Sequence, residues 1–500
     1  MSVAERKDPR EDRSGRIAAL SPEQRELLDL LRRKEAAQKR PRRPPAAPPI
    51  PRRGPGDSWP LSFDQERLWF LYYLDPGDTA YNIDTSTRMR GRLDVAALLR
   101  GLNAVVRRHE AWRTTFHAVD GRPVQVVAPE LVLAVPVVDL RRVPADRREA
   151  VTRAHQRAAA RQPFDLAAGP LVRALLLRLA DEEWVCMLAV HHIVTDWITF
   201  QLFWRELAAL YTADHRSLPE LACQYADFAV WQRAWLQGEV LETYLDFWLN
   251  ELRDAPQVLE LPLDRPRPAT QTTRGAEQPV ELPGRLANAL KALARQAGAT
   301  PFMAVLAAFK ALLLRLTGQT KVLVGSPNAN RNRVEIEPLF GFFLTQLVFA
   351  TDGAGNPTFG ELLGRVRQAA LGAYTHQDLP FGKLLEAIKP ERDNSRPPLV
   401  QANFLLLDAE YTPLELPGLA VTPIWVDDGN SRFDLTLGLW DSPLRIFGFF
   451  EYNLDLFDPT TVARMAEAFS ALVERAVADP EARLAELPML SAPALHQVLS

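Results

Sequence analysis

The chain has little cysteine: Cys186 and Cys223 are its only two thiols among 500 residues. Both lie inside apolar or aromatic segments, which excludes a disulfide framework, and their spacing matches no metal-binding motif. Long hydrophobic runs are also missing, because no segment reaches about 18 uninterrupted apolar residues. With no apolar signal core at the N-terminus either, we expect neither export nor a membrane span, and we predict a cytoplasmic location.

An excess of charge of one sign is absent as well. The formal net charge is −3, from 59 basic and 62 acidic side chains. So small an imbalance gives no electrostatic reason to expect nucleic acid or an anionic membrane as a partner. The composition, 47% hydrophobic and 24% charged, is typical of a soluble globular protein. A chain of 500 residues is too long to fold around one ordinary hydrophobic core, so we expect two lobes.

Residues 1–57 differ from the rest of the chain. Ser21-Pro22-Glu23-Gln24 is a capping box with proline at the first helical position, which predicts a leader helix over about residues 21–35. This helix is long enough to dock on a partner, although local packing is the alternative. The basic, proline-rich stretch 39–53 is unable to build a core, and we expect a disordered, extended linker there.

Helical and strand patterns alternate from residue 58 onwards, which predicts an α/β (α+β) fold with mixed sheets in two lobes. Helix-period apolar residues lie at about 63–74, 94–108, 144–161, 197–211, 286–297, 300–316, 359–373 and 459–477. Strand patterns lie at about 112–127, 171–179, 184–190, 321–325, 399–407 and 435–452. We place the N-terminal lobe at 58–238, the C-terminal lobe at 239–485 and a C-terminal linker at 486–500.

Two adjacent histidines, His191 and His192, stand between the buried strand at 184–190 and the helix that begins at Trp197. Because side chains alternate along an extended segment, only one of the two faces a given cavity. A neutral imidazole near pH 7 suits general-base catalysis or the positioning of an amine. Asp196 is a candidate N-terminal cap of the following helix. Adjacent histidines diverge and lack further Cys or His ligands, so we expect no metal.

Several segments resemble, in order and spacing, the motifs of the condensation domains of nonribosomal peptide synthetases, which belong to the chloramphenicol-acetyltransferase-like superfamily. The seven matching segments are Ser62–Leu71, Arg108–Phe116, His191–Asp196, Tyr225–Gln232, Val324–Arg331 with Gly341–Phe343, His376–Phe381 and Arg392–Arg396. Seven motifs in the family's order are far more specific than a lone HHxxxD. The resemblance covers almost everything from residue 58 to residue 490.

This resemblance implies a fold of two chloramphenicol-acetyltransferase-like lobes, arranged as a V-shaped pseudo-dimer with an active-site tunnel at their interface. Donor and acceptor peptidyl carrier proteins of upstream and downstream synthetase modules would deliver substrates on phosphopantetheine arms, in nonribosomal peptide or hybrid polyketide-peptide biosynthesis. The acceptor amine would attack the donor thioester and form an amide, with no directly bound cofactor and no metal. We expect a monomer.

The resemblance also assigns residues. It implies that His192 is catalytic, that Asp196 forms a buried ion pair with Arg331, and that Arg113 borders the active site. From the alternation of side chains along the strand we expect His191 to be structural. Two departures fall near the same site. Trp197 stands where the family nearly always has glycine, and Leu344-Thr345-Gln346 stands where the family usually has Val-Asn-Thr. Trp197, Thr345 and Gln346 are therefore candidate tunnel or substrate positions.

Two other functions compete with condensation. A non-catalytic, condensation-like domain would recruit a carrier or tailoring protein, and Trp197 beside the catalytic histidine favours it. A free-standing acyltransferase would form amides or esters from soluble substrates. The presence of both His192 and Asp196 favours the catalytic interpretation.

Overall fold

The computed structural model describes residues 44–212, 218–391, 393–408, 416–424 and 429–489. The chain divides into two units, Met1–Pro45 and Ala46–Ser500, and only residues 44 and 45 of the first unit are described. The predicted leader helix over residues 21–35 lies outside the described residues. So do Arg392 of the seventh motif and residues 490–500.

Helices of the second unit lie close to the ranges predicted from apolar periodicity. They are α1 (Phe63–Leu74), α2 (Val95–Arg108), α3 (Ala145–Ala160), α4 (Trp197–Thr212), α5 (Tyr225–Trp235), α6 (Gly238–Glu251), α7 (Gly284–Gln296), α8 (Pro301–Thr317), α9 (Phe359–Thr375), α10 (Phe381–Ile388) and α11 (Pro459–Ala478). Helices α5, α6 and α10 are exceptions that were not predicted. The buried residues of α5 include Asp227 and Gln232 beside aromatic side chains, so its sequence has no polar face to reveal a period.

The strands form three sheets. They are β1 (Trp59–Pro60), β2 (Asn82–Gly91), β3 (Thr114–Val119), β4 (Arg122–Val127), β5 (Val137–Asp139), β6 (Val172–Ala180), β7 (Glu183–His191), β8 (Gly275–Leu282), β9 (Lys321–Asn328), β10 (Thr345–Asp352), β11 (Ala402–Asp408), β12 (Leu419–Ile424), β13 (Leu435–Asp441) and β14 (Ile446–Asn453). The sheet orders are β12-β2-β7-β6-β5, β10-β9-β11-β13-β14-β8 and β1-β4-β3. The predicted mixed α/β class is confirmed.

Strand β7 occupies the centre of the five-stranded sheet, antiparallel to both β2 and β6. From Trp184 to His191 every residue is buried, which explains why the sequence shows a continuous apolar run instead of an alternating one. A strand that is held on both edges and covered on both faces is rigid. Its C-terminal end is therefore a well-fixed position for the two histidines.

Buried apolar side chains form two large clusters. One cluster is built mainly from residues up to Trp231, and the other from Leu236 onwards, next to the lobe boundary placed at residue 238. Two later segments return to the first cluster. Residues 336–343 pack into it, and β12 pairs with β2 in its sheet. The core of the N-terminal part is thus completed by residues of the C-terminal part.

Residues 46–57 differ from the expected disordered linker, because they pack against later residues of the second unit. The Arg53 guanidinium forms ion pairs with Glu110 (2.7 Å) and Asp227 (2.6 Å) and lies over the Trp59 ring. The Pro48 carbonyl accepts a hydrogen bond from the Trp231 indole. Glu110, Asp227 and Trp231 lie far away in the sequence, so local composition does not reveal these contacts.

Within the described ranges, no single helix is long and apolar enough to cross a membrane. Helices α7 and α8 meet the length and composition requirement only as a pair that is bent by 105°.

Candidate active site at the end of strand β7

The candidate site lies where the central strand β7 passes into helix α4. His191 ends the strand, residues His192–Val194 form a 3₁₀ turn, and the helix begins at Trp197. Strand β2 fixes the start of this turn: Asn82 pairs with His191, and the His192 N–H donates to the Tyr81 carbonyl at 2.8 Å. The turn is therefore tied to the sheet at its first residue.

His191 faces the protein interior. Its Nδ1 accepts a hydrogen bond from the Ile193 N–H at 3.2 Å, and its ring meets the Phe164 ring edge-on. Burial, reinforced by the neighbouring His192, lowers the pKa of His191 to about 3. A neutral ring that closes the turn has a structural role, in line with the alternation of side chains along the strand.

His192 points to a different side. Its Nδ1 lies 2.8 Å from the Thr195 carbonyl oxygen, and its ring packs edge-on against Phe342. A carbonyl oxygen only accepts hydrogen bonds, so the proton of the neutral ring lies on Nδ1 and the lone pair lies on Nε2. No partner contacts Nε2 among the residues that the structure describes. Burial, followed by the positive charge of Arg432, lowers the pKa of His192 to about 4. The ring is therefore a neutral proton acceptor near pH 7.

Asp196 is fully occupied by protein donors. Its Oδ1 accepts from the Thr199 N–H and Oγ1–H, both at 2.8 Å, which caps helix α4. Both carboxylate oxygens lie 3.0 Å from Arg331 Nη2, and the Phe343 N–H donates to Oδ2 at 3.3 Å. The side chain is both a helix cap and an ion-pair partner, and it has no role left in proton transfer.

Arg331 connects the His191–Asp196 turn to residues 336–343, which come from the C-terminal part of the chain. Its Nη1 donates to the carbonyls of Ile336 (2.8 Å) and Leu339 (2.6 Å), while Nη2 binds Asp196. The guanidinium also lies over the Phe343 ring at 4.4 Å. One side chain thus fixes residues 336–343 against the turn that carries His192.

Tyr225 is a site residue that the sequence analysis missed. Its hydroxyl donates to the Phe342 carbonyl at 2.6 Å and shares a hydrogen bond of 2.9 Å with Ser62 Oγ. Gly341 makes this possible: its φ is +150°, and a Cβ there would lie 1.9 Å from Tyr225 Cδ2. The sequence did contain a signal for this contact. Ser62, Tyr225 and Gly341 lie in three different motif segments, and motif segments that are far apart in sequence commonly meet at one site.

Arg113 ends the 3₁₀ turn Glu110–Arg113, directly before strand β3. Its Nη1 donates to the carbonyls of Ala128 and Pro129, and the nearby charges are Glu110 and Arg53. The structure describes no contact between Arg113 and the His192 turn. Its observed contacts instead hold the start of strand β3 against the end of strand β4.

The residues that depart from the family pattern fall into two places. Trp197 is the first residue of α4, and 38% of its surface is exposed. Thr345 is buried, and its Oγ1 has no hydrogen-bond partner among the described residues. Gln346 donates to Asn403 Oδ1 at 3.0 Å, which joins β10 to β11 across β9.

A metal ligand set is not found in the described part of the chain: no group of three or more His, Cys, Asp or Glu side chains is arranged to hold an ion.

Comparison with known proteins gives a consistent result. The family model described as "Condensation domain" matches residues 56–498. A linear gramicidin synthase chain of Brevibacillus parabrevis is 43% identical over 458 residues, which is 90% of this chain and 6% of the relative. Phosphinothricin tripeptide synthetase PhsC of Streptomyces viridochromogenes is 42% identical over 489 residues, which is 96% of this chain and 44% of the relative. The chain spans less than half the length of these relatives.

Solved structures agree on the fold. The X-domain in the complex of the X-domain and OxyB from teicoplanin biosynthesis has a TM-score of 0.80 and 29% identity, covering 90% of this chain and 99% of that one. The condensation domain from the monacolin K polyketide synthase MokA has a TM-score of 0.74 and 24% identity, covering 85% and 99%. At 24% identity, the second comparison bears on the fold alone.

Proposed function

This chain belongs to the condensation-domain family of nonribosomal peptide synthetases, and on that premise we propose that it joins a carrier-bound acyl or peptidyl thioester to a carrier-bound aminoacyl acceptor. The observation that carries the proposal is the neutral His192 ring, whose Nε2 has no hydrogen-bond partner among the described residues while its Nδ1 is fixed by the Thr195 carbonyl. Such a ring is able to accept a proton or a hydrogen bond from an attacking amine.

The proposed step balances without a metal or an enzyme-bound intermediate. The acceptor nitrogen attacks the donor carbonyl carbon, the carbon–sulfur bond breaks, and an amide forms. One N–H proton of the amine passes to His192 Nε2 and then to the departing thiolate of the donor arm. General-base catalysis contributes about 10²–10⁴-fold, whereas orienting the two reactants contributes about 7–11 kcal/mol. Positioning is therefore the larger effect.

The other residues of the turn act by holding this geometry. Asp196 and Arg331 fix the turn against residues 336–343, and His191 closes the turn from the interior side. Substrates would arrive on phosphopantetheine arms of donor and acceptor carrier proteins. This partner assignment is supported by the relatives, which include a tripeptide synthetase.

The test is intact-protein mass spectrometry of acyl-loaded donor carriers and aminoacyl-loaded acceptor carriers mixed with this chain. We expect the acceptor carrier to gain the acyl mass, and His192→Ala to slow the transfer by about 10²–10⁴-fold without abolishing it. His117→Ala is the matched control, because His117 lies on β3 and contacts Thr115. Equal rates for His192→Ala and the unaltered chain would contradict the proposal.

A second candidate is favoured by the likeness to the X-domain, which was solved in a complex with OxyB. On this alternative, the chain keeps the fold but recruits a tailoring protein. The half-exposed Trp197 indole then fills the space that a glycine would leave open. Carrier binding without transfer by the unaltered chain, together with transfer by Trp197→Gly, would favour this candidate. Transfer by the unaltered chain would exclude a purely non-catalytic role.

A further inference from the structure

A segment from the C-terminal part of the chain, residues 429–434, carries Arg432 to the edge of the candidate site. The Arg432 Nη2 donates to the Ala80 carbonyl, and its guanidinium carbon lies 5.1 Å from the centre of the Tyr81 ring. The Tyr81 carbonyl in turn accepts the His192 N–H at 2.8 Å. Arg432 therefore contacts the residue that anchors the backbone of His192.

Ser431 and Asp434 hold the backbone of this segment on both sides of Arg432. The Ser431 N–H donates to the Thr273 carbonyl at 2.8 Å. The buried Asp434 carboxylate pairs with Arg267, whose Nη1 lies 3.0 Å from the Asp434 Oδ1. A side chain whose backbone is already fixed loses less conformational freedom when it makes a contact. The segment therefore presents Arg432 to the start of strand β2 in a preorganised way.

The positive charge of Arg432 is exposed and has no carboxylate partner within the described ranges. This charge reaches the ring of His192: burial lowers the pKa of His192 most, and Arg432 lowers it further. Asp196 opposes the effect of Arg432, but Arg331 binds both Asp196 oxygens at 3.0 Å. The buried His191 is neutral near pH 7. The described groups around the His192 ring thus leave one uncompensated charge, which is that of Arg432.

We propose that Arg432 is a positioning residue of the condensation reaction, which holds Tyr81 beside His192 and supplies a positive charge to the site where the donor carbonyl oxygen becomes negative. This inference rests on the proposed function and adds a residue from the C-terminal part of the chain to it. Attack by the acceptor nitrogen moves a carbonyl electron pair onto the oxygen, and this pair returns when the carbon–sulfur bond breaks. A fixed positive charge stabilises the oxyanion and disfavours a proton that stays on His192.

Two variants separate the charge of Arg432 from its contacts. Arg432→Gln keeps an N–H donor for the Ala80 carbonyl but removes the charge, whereas Arg432→Lys keeps both. Arg445→Gln is the matched control, because Arg445 lies over the Phe447 ring at 4.8 Å and pairs with Glu281 on the edge strand β8. In the carrier assay, we expect Arg432→Gln to lower kcat by about 10–100-fold with KM nearly unchanged. Arg432→Lys should recover most of this loss, and the control should match the unaltered chain.

A pH titration of the His192 ring, followed by ¹⁵N chemical shifts, detects the charge without any substrate. Removal of a neighbouring positive charge makes the imidazolium form more favourable. We therefore expect the pKa of His192, which is about 4 in the unaltered chain, to be higher in Arg432→Gln and to stay low in Arg432→Lys. A role of Arg432 in folding alone would lower the Tm and the transfer rate but would leave this pKa unchanged.

Full transfer by Arg432→Gln, an unchanged His192 titration in that variant, or no recovery by Arg432→Lys would each overturn this inference while leaving condensation intact. Failure of the unaltered chain to transfer any substrate would overturn the proposed function and the role of Arg432 in it. The substrate-free titration tells these two failures apart, because it shows whether Arg432 acts on the His192 ring.

Discussion

Single side chains of the candidate site have different tasks. His192 keeps its lone pair free because the Thr195 carbonyl fixes the proton on the other ring nitrogen. Asp196, which looks like a catalytic partner in the sequence, uses its oxygens to cap α4 and to bind Arg331. The two buried histidines have pKa values of about 3 and about 4, so folding excludes their protonated forms.

This exclusion predicts a pH dependence of stability. A histidine with an ordinary pKa of about 6.5 when unfolded takes up protons in the unfolded state as the pH falls below that value, while buried His191 stays neutral. Its contribution to stability is therefore complete above pH 6.5 and is lost as the pH falls towards its folded pKa. Between pH 7.5 and pH 5.0 the loss is about 2 kcal/mol.

We expect the His191→Asn variant, which keeps an acceptor for the Ile193 N–H, to lose about 2 kcal/mol less than the unaltered chain between these two pH values. Urea unfolding at pH 7.5 and pH 5.0 gives the required free energies. The comparison cancels the contribution of Asp64, whose raised pKa acts with the opposite sign in this range. An identical pH dependence for both chains would show that His191 is protonated in the folded state.

At the scale of elements, the sequence predicts the β7–α4 junction well, because its signals are local. A fully apolar run is followed by helix-period residues, and the strand and helix lie where these patterns place them. The rest of the site is not local. Tyr225, Gly341 and Pro48 act through partners that lie more than a hundred residues away, and Arg113, assigned by resemblance alone, makes no described contact with the turn.

The candidate site depends on residues 336–343, and a substitution of Gly341 tests this dependence. Alanine there would carry a Cβ 1.9 Å from the Tyr225 ring at a φ of +150°. We expect Gly341→Ala to destabilise the chain by about 3 kcal/mol or more and to reduce transfer through displacement of Phe342. Gly364→Ala is the control: this exposed glycine inside α9 has open space around it, so alanine should stabilise the chain by about 0.5–1 kcal/mol. Equal stability of the two variants in urea unfolding would contradict the importance of Gly341.

At the scale of the whole molecule, segments from the C-terminal part of the chain complete the apolar cluster and the sheet of the N-terminal part. Phe340 comes from the C-terminal part of the chain, yet its ring stacks on His109 at 3.6 Å and contacts Trp112 at 4.8 Å. Strand β12 likewise completes the edge of the five-stranded sheet beside β2. The apolar cluster of the N-terminal part is therefore incomplete without residues from the C-terminal part, and the His191–Asp196 turn contacts both.

This dependence predicts the behaviour of the N-terminal lobe alone. Residues 46–238 would expose the His109 and Trp112 rings that Phe340 covers and would leave the β2 edge unpaired. We expect this piece to bind a hydrophobic dye and to unfold without a cooperative transition, whereas residues 46–500 unfold cooperatively. A sharp transition and no dye binding for residues 46–238 would show that the lobes are independent.

The proposed function requires that His192 presents a neutral ring with its lone pair on Nε2. The most direct measurement is the ¹⁵N chemical shift of the His192 ring nitrogens during a pH titration, with His192→Gln identifying the resonances. We predict a protonated Nδ1, an unprotonated Nε2 at pH 7, and a pKa of about 4. A doubly protonated ring at pH 7, or a proton on Nε2, would contradict the account.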